Sequence, residues 1–167
     1  MLGGNLYGRV ALHPALSEVS DQRERGKLLN RAWRRYGWIN SASLVAVVGG
    51  WVGARMNEAR PSALSARERA LAKGKDAALA AVVLTGVATA VEGVRFARSA
   101  PDGAVPLEDG STPSPQTPHD AARLKRRLNV LSAAGAAAEL ALVGFNAALG
   151  QASFRRPPAR RLLRRSY

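Results

Sequence analysis

Apolar positions gather into three nearly charge-free stretches, and the charged positions fill the gaps between them. The last stretch, Leu128 to Gly150, runs for 23 residues with Glu139 as its one formal charge. Arg123, Lys125, Arg126 and Arg127 stop just before it, and Arg155 and Arg156 begin just after it. A bilayer's hydrocarbon core of about 30 Å takes roughly 20 apolar helical residues, so this stretch predicts a membrane-crossing helix with basic flanks. The same pattern predicts spans over 37–54, which holds 18 uncharged residues, and over 77–97, where Glu92 and Arg95 sit near the end.

The intervening segments complete a single membrane domain over 1–167. Residues 1–16 read as the second half of a helix, apolar apart from Arg9 and closed by His13-Pro14, and too short to cross. This predicts a short or re-entrant helix, or a natural start further upstream that an in-frame apolar run before Met1 would reveal. In 17–36, Leu28, Leu29, Ala32, Trp33 and Tyr36 recur at helical spacing among Arg and Lys, as in an amphipathic helix at the membrane interface anchored by Trp33, Tyr36 and Trp38. A basic loop is expected over 55–76. A mobile, Pro/Gly/Ser-rich solvent loop followed by a short helix capped by Asp120 is expected over 98–127, and an Arg-rich tail over 151–167. The fold class expected is all-α: an integral membrane antiparallel four-helix bundle with a short or truncated first helix and an interfacial amphipathic helix.

Composition narrows the function classes. The net charge of +13 calls for an anionic partner, nucleic acid or lipid, and the confinement of cations to the gaps between apolar stretches favours anionic lipid, reached through the Arg-rich tail, over nucleic acid. The mean hydropathy of −0.12 averages long basic segments with apolar ones and does not contradict spans. The chain has no Cys, which removes disulfides, thiolate catalysis and Cys-ligated metals, and its two histidines, His13 and His119, are too few for a His-rich metal or bis-His haem site. No metal or cofactor is therefore expected. Orientation is even by count, with twelve Lys and Arg on each side of the spans. The consecutive arginines near the last span favour a cytoplasmic C-terminal tail in a cell-membrane protein.

Polar residues within the spans fall on stripes. Asn129, Ser132, Ala136, Glu139, Val143, Asn146 and Gly150 step by three and four, as do Asn40, Ser43, Val47, Gly50 and Ala54, and again Ala81, Thr85, Ala88 and Glu92. Small residues on such faces permit close helix packing and possible oligomer contacts, Gly49-x3-Gly53 among them. Alternating spans bring His13, Asn40, Ser43, Glu92, Arg95, Asn129 and Ser132 to one membrane face with Glu139 beneath them. An intramembrane carboxylate is expensive, so Glu139 must face the bundle, bonded to Asn40, Ser43 or Thr85, or serve a site. His13 and Glu139 are the catalytic candidates. Asn40, Ser43, Glu92, Arg95, Asn129 and Ser132 are the pocket candidates, with a local Glu92–Arg95 ion pair as the plainer account of those two.

Gly4-Asn5-Leu6-Tyr7, His13-Pro14-Ala15-Leu16 and the basic Asn30-Arg31-Ala32-Trp33 together resemble the small four-span membrane proteins of a domain-of-unknown-function family that includes anthrone oxygenases. The resemblance covers the whole layout and implies a four-helix bundle. Some members resemble cofactor-free oxygenases acting on polyphenolic rings, most have no assigned activity, and His13 is the position the resemblance carries across. Three functions follow as expectations: a membrane protein of structural or accessory role, an oxygenase-like membrane enzyme with a pocket around Glu139, or a small proton-coupled carrier using Glu139.

Overall fold

The computed structural model describes residues 1–154, so the Arg-rich tail expected over 151–167 lies almost wholly outside the described residues. Among the described residues the chain is helical, without a strand longer than the isolated Leu107–Pro113 bridge. A short helical stretch comes first, formed by α1 (Leu2–Tyr7), a π-helical turn (Gly8–Leu12), α2 (His13–Ala15) and a 3-10 turn (Leu16–Glu18). Three long helices follow, α3 (Gln22–Met56), α4 (Ala66–Ala97) and α5 (His119–Phe154). Each is long and apolar enough to cross a membrane.

The π turn has a local cause. Pro14 has no N–H and its ring crowds the carbonyl four residues back, so the ordinary i→i−4 ladder cannot run through it. The His13 N–H instead bonds the Gly8 carbonyl, five residues back, and the helix widens by one residue before the proline.

Two expected boundaries move. The amphipathic segment 17–36 and the span 37–54 are not separate elements, because Gln22 to Met56 is one helix about 50 Å long whose charged N-terminal half continues the apolar half without a break. The basic loop shrinks to 57–65. Ser65 caps α4 in a capping box with Glu68, accepting from the Glu68 N–H while the Glu68 carboxylate accepts from the Ser65 N–H at 2.8 Å, so the charged residues 66–76 are helical. The short helix expected before the last span is likewise the first part of α5. Asp120 is a residue of its first turn, where it pairs with Arg123 and complements the helix dipole.

The long helices alternate in direction. α4 and α5 pack tightly: a Cβ on Gly74 would lie 2.4 Å from the Phe145 ring, and one on Gly135 3.4 Å from Thr85 Oγ1. α3 diverges from this pair and is fastened to it at the two ends. At the 57–65 end, Trp51, Ala59, Leu64, Ala72 and Leu79 form one core, and Asp76 accepts from Trp51 Nε1 at 2.7 Å and from Arg55 at 3.0 Å. Lys75 Nζ lies 3.8 Å over the Trp51 ring and donates to Asn146 at 2.7 Å.

At the other end, Leu16, Leu29, Phe96, Val105, Leu107 and Ala121 form the second core. This overturns the mobile loop expected over 98–118, because Val105 and Leu107 are fully buried in it. The segment lacks a long apolar run but carries two apolar anchors and self-satisfying turns. The Asp109 carboxylate accepts from the Ser111 and Thr112 backbones, and Thr117 Oγ1 donates to the Pro106 carbonyl. Backbone bonds tie it to its neighbours: Leu107 N–H to Gln22 O at 3.1 Å and Gly110 N–H to His13 O at 3.0 Å. Arg25 fastens it further by donating to the carbonyls of Ser17, Val19, Leu107 and Glu108. Gly26 permits the contact, since a Cβ there would fall 2.0 Å from the Val105 carbonyl oxygen. At Pro101–Gly103 the chain turns with Asp102 and Gly103 at φ 53° and 71°, a left-handed pair that Asn30 secures by donating to Gly103 O at 2.8 Å.

Candidate functional site

Because α3 meets α4–α5 mainly near its ends, with Leu44 approaching Gly86 between them, much of the space between is open. A cavity of about 1420 Å³ runs from beneath the 98–118 segment to the depth of Glu139, walled by α3, α4, α5 and the N-terminal helical stretch. Its apolar walls include Leu44, Val82, Leu128 and Leu131. Lys27, Arg31, Arg34 and Arg98 line the end near the loop, together with Asp102.

The N-terminal stretch forms one side of this cavity. Gly4 and Gly8, one turn apart, let it lie directly on the rings of Tyr36 and Trp33; a Cβ at either position would come within 2.8 Å of those rings. Trp33 stacks edge-on with Tyr36 at 5.7 Å and with His13 at 5.9 Å between ring centres. Two of the three expected interfacial anchors therefore face inward, and only Trp38, 79% exposed, remains outside. The close approach uses Gly4-x3-Gly8. The Gly49-x3-Gly53 spacing singled out in α3 has open space on both glycines.

Glu139 is buried at the inner end. Its carboxylate accepts two hydrogen bonds from Asn5 Nδ2, at 3.0 and 3.2 Å. The partners expected were Asn40, Ser43 or Thr85. The hydroxyls of Ser43 and Thr85 instead donate to their own helices, to Ile39 O and Ala81 O, a common arrangement for short hydroxyls in apolar helices. Asn40 lines the cavity near Tyr36.

At the loop end, His13 lies against Gly110 and Trp33, and its Nε2 is buried without a hydrogen-bond partner among the described residues. Its pKa is lowered to about 4 by burial and by the charges of Lys125 and Arg9, against the opposing pull of Asp109. Lys125 is 4% exposed; its ammonium sits 5.6 Å from the Phe96 ring and makes no hydrogen bond or ion pair among the described residues. Burial, with Arg9 adding repulsion against the pull of Asp109, lowers its pKa to about 8. Four hydrogen bonds from Ser111 and Thr112 outweigh burial at Asp109 and hold its pKa below the usual carboxylate range. Arg9 donates to Asn129 O at 2.9 Å, and Asn129 donates to Ser111 O at 2.8 Å.

Of the sequence candidates, His13, Glu139, Asn40, Asn129 and Ser132 all line this cavity. Ser43 lies beyond it, beside Met1, Val47 and Glu139 in a smaller hollow. Glu92 and Arg95 are not brought to the cavity; they form the local ion pair at 3.1 Å. His13 and Glu139 share the cavity at different depths, since the Asn5 that holds Glu139 and His13 are about 12 Å apart along the helix axis. The reading from sequence missed Asn5, Lys125 and the inward role of Trp33. Lys125 stands in a run of cations and nothing in that run marks it as the buried one. The Gly4-x3-Gly8 pair was a visible signal for Asn5, which lies between them.

Among the described residues no group of His, Asp and Glu side chains could hold a metal ion. Comparison with protein-family models, curated proteins and solved structures finds no match for this chain.

Proposed function

We infer that the chain is a multi-pass integral membrane protein of structural or accessory role, with α3, α4 and α5 as spans and the N-terminal stretch as a half-depth helix beside them. One observation carries this reading: within the most apolar windows of the three helices only 6%, 17% and 11% is buried in the protein. Ile39, Val45, Leu84, Val130 and Leu140 each expose more than half of their surface, an outward apolar area that a soluble monomer rarely shows and that a bilayer covers. A cell-membrane location with the tail cytoplasmic and bound to anionic lipid belongs to the same reading, as does association through the open face of Gly49 and Gly53. Washing membranes with alkaline carbonate is the direct test. Protein that stays in the pellet and leaves only with detergent agrees, and protein released into the supernatant without detergent contradicts it.

A second reading, a cofactor-free oxygenase-like enzyme on aromatic rings, draws on the presence of His13 and Glu139 in one largely apolar cavity. Purified protein given an anthrone and oxygen discriminates: turnover that is lost in Glu139→Gln favours it, and no turnover eliminates it.

A further inference from the structure

We propose that the cavity is a binding site for a single-chain anionic amphiphile, with its phosphate or carboxylate head at Lys125 and its tail along Leu44, Val82, Leu128 and Leu131. The proposal rests on the membrane reading for the depth of the site and goes beyond it in assigning a ligand class. Four observations converge on that class. The volume of about 1420 Å³ is larger than a small polar metabolite requires, and away from the loop Leu44, Val82, Leu128 and Leu131 give the walls an aliphatic strip among the uncharged Asn40, Ser41, Thr85 and Ser132. Lys125 is 4% exposed as a residue, and its ammonium opens to the cavity, where it meets no acid at ion-pair distance and no acceptor among the described residues. His13 Nε2, also buried, lacks a partner beside it. The cations Lys27, Arg31, Arg34 and Arg98 outnumber Asp102 at that end of the cavity, so an anion is drawn towards Lys125 rather than away from it.

The acids near the cavity do not fill this role. Asp109 spends its carboxylate on Ser111 and Thr112. Glu139 is held by Asn5 at the far end, away from the cations of the loop end. His13, neutral near pH 7, adds no charge that competes with Lys125, and Arg9, already bonded to Asn129 O, adds positive charge beside it.

The test uses the full chain in a neutral maltoside detergent, with dodecyl phosphate as the probe and inorganic phosphate and excess neutral detergent as controls. Binding is read by the shift in melting temperature and by Trp33 fluorescence, for which Trp38→Phe and Trp51→Phe leave a single reporter. Dodecyl phosphate is expected to saturate and raise the melting temperature by several degrees, while inorganic phosphate alone leaves it unchanged. Lys125→Met is expected to weaken dodecyl phosphate at least tenfold without lowering the stability of the unliganded protein, because it replaces an unpaired charge at the end of a largely buried side chain with an apolar group. Lys125→Arg should keep most of the affinity. Gly86→Leu adds bulk to the wall, where a Cβ would meet only Leu44 at 4.0 Å, and should shift preference towards shorter chains such as octyl phosphate. Equal binding by wild type and Lys125→Met, or an equal response to inorganic phosphate, overturns the proposal. Carbonate extraction is unaffected by either outcome, so failure here leaves the membrane reading standing.

Discussion

At the scale of single residues, Glu139 depends on Asn5. Removing the amide leaves a buried carboxylate without the one group that donates to both of its oxygens, and an unsatisfied buried group costs about 1–3 kcal/mol. Asn5→Leu should therefore destabilise the protein by about that amount, whereas the double change Asn5→Leu with Glu139→Leu should recover most of it. A double-mutant cycle on SDS-induced unfolding measures the coupling, and additive effects would show that the pair does not interact. His13 sets an acid limit. With its pKa at about 4 in the folded state against 6.5 in the unfolded chain, the unfolded state binds the extra proton between these values, so stability falls as pH drops from about 6.5 to 4. Melting curves across that window should show the fall, and His13→Phe should flatten it. Glu139 was legible as the lone charge of an apolar run, and its need to face inward followed from the cost of lipid exposure. Its partner was not legible, because that depends on how far into the bundle a stretch too short to cross reaches.

At the scale of elements, the 98–118 segment is held by side chains from α3 that have no periodic signature. Arg25 reaches carbonyls of two other segments, and Gly26 lies against Val105. Gly26→Val should displace the segment and cost about 1–3 kcal/mol, as overpacking of a close contact does. Arg25→Met should loosen the segment and speed its cleavage by protease within 98–118, measured on detergent-solubilised protein. Unchanged cleavage would mean that Val105 and Leu107 hold the segment without it. The three long apolar helices were legible from hydrophobic runs, and the Ser65-x-x-Glu68 capping box was present to be read as the start of α4. Pro, Gly, Ser and Thr suggested mobility because composition reports the absence of regular structure, and this segment gains its order from Asx-type turns and two buried aliphatic anchors.

At the scale of the whole molecule, two small cores lie at opposite ends and a cavity lies between them, so the three long helices are tied at their ends and open in the middle. Their outward faces are aliphatic over most of their apolar length. This arrangement is stable only where something apolar covers those faces, a role that we propose lipid fills. The absence of cysteine makes the assignment directly measurable, because single cysteines can be introduced on an unreactive background. The decisive measurement is labelling by a membrane-impermeant maleimide in sealed vesicles that contain Leu84→Cys, Leu140→Cys, Glu58→Cys or Gln116→Cys. With lipid on these faces, Leu84→Cys and Leu140→Cys stay unlabelled from both sides, while Glu58→Cys and Gln116→Cys are labelled from opposite sides. Labelling of Leu84→Cys and Leu140→Cys as fast as the loop positions, or of Glu58→Cys and Gln116→Cys from the same side, would contradict the membrane reading.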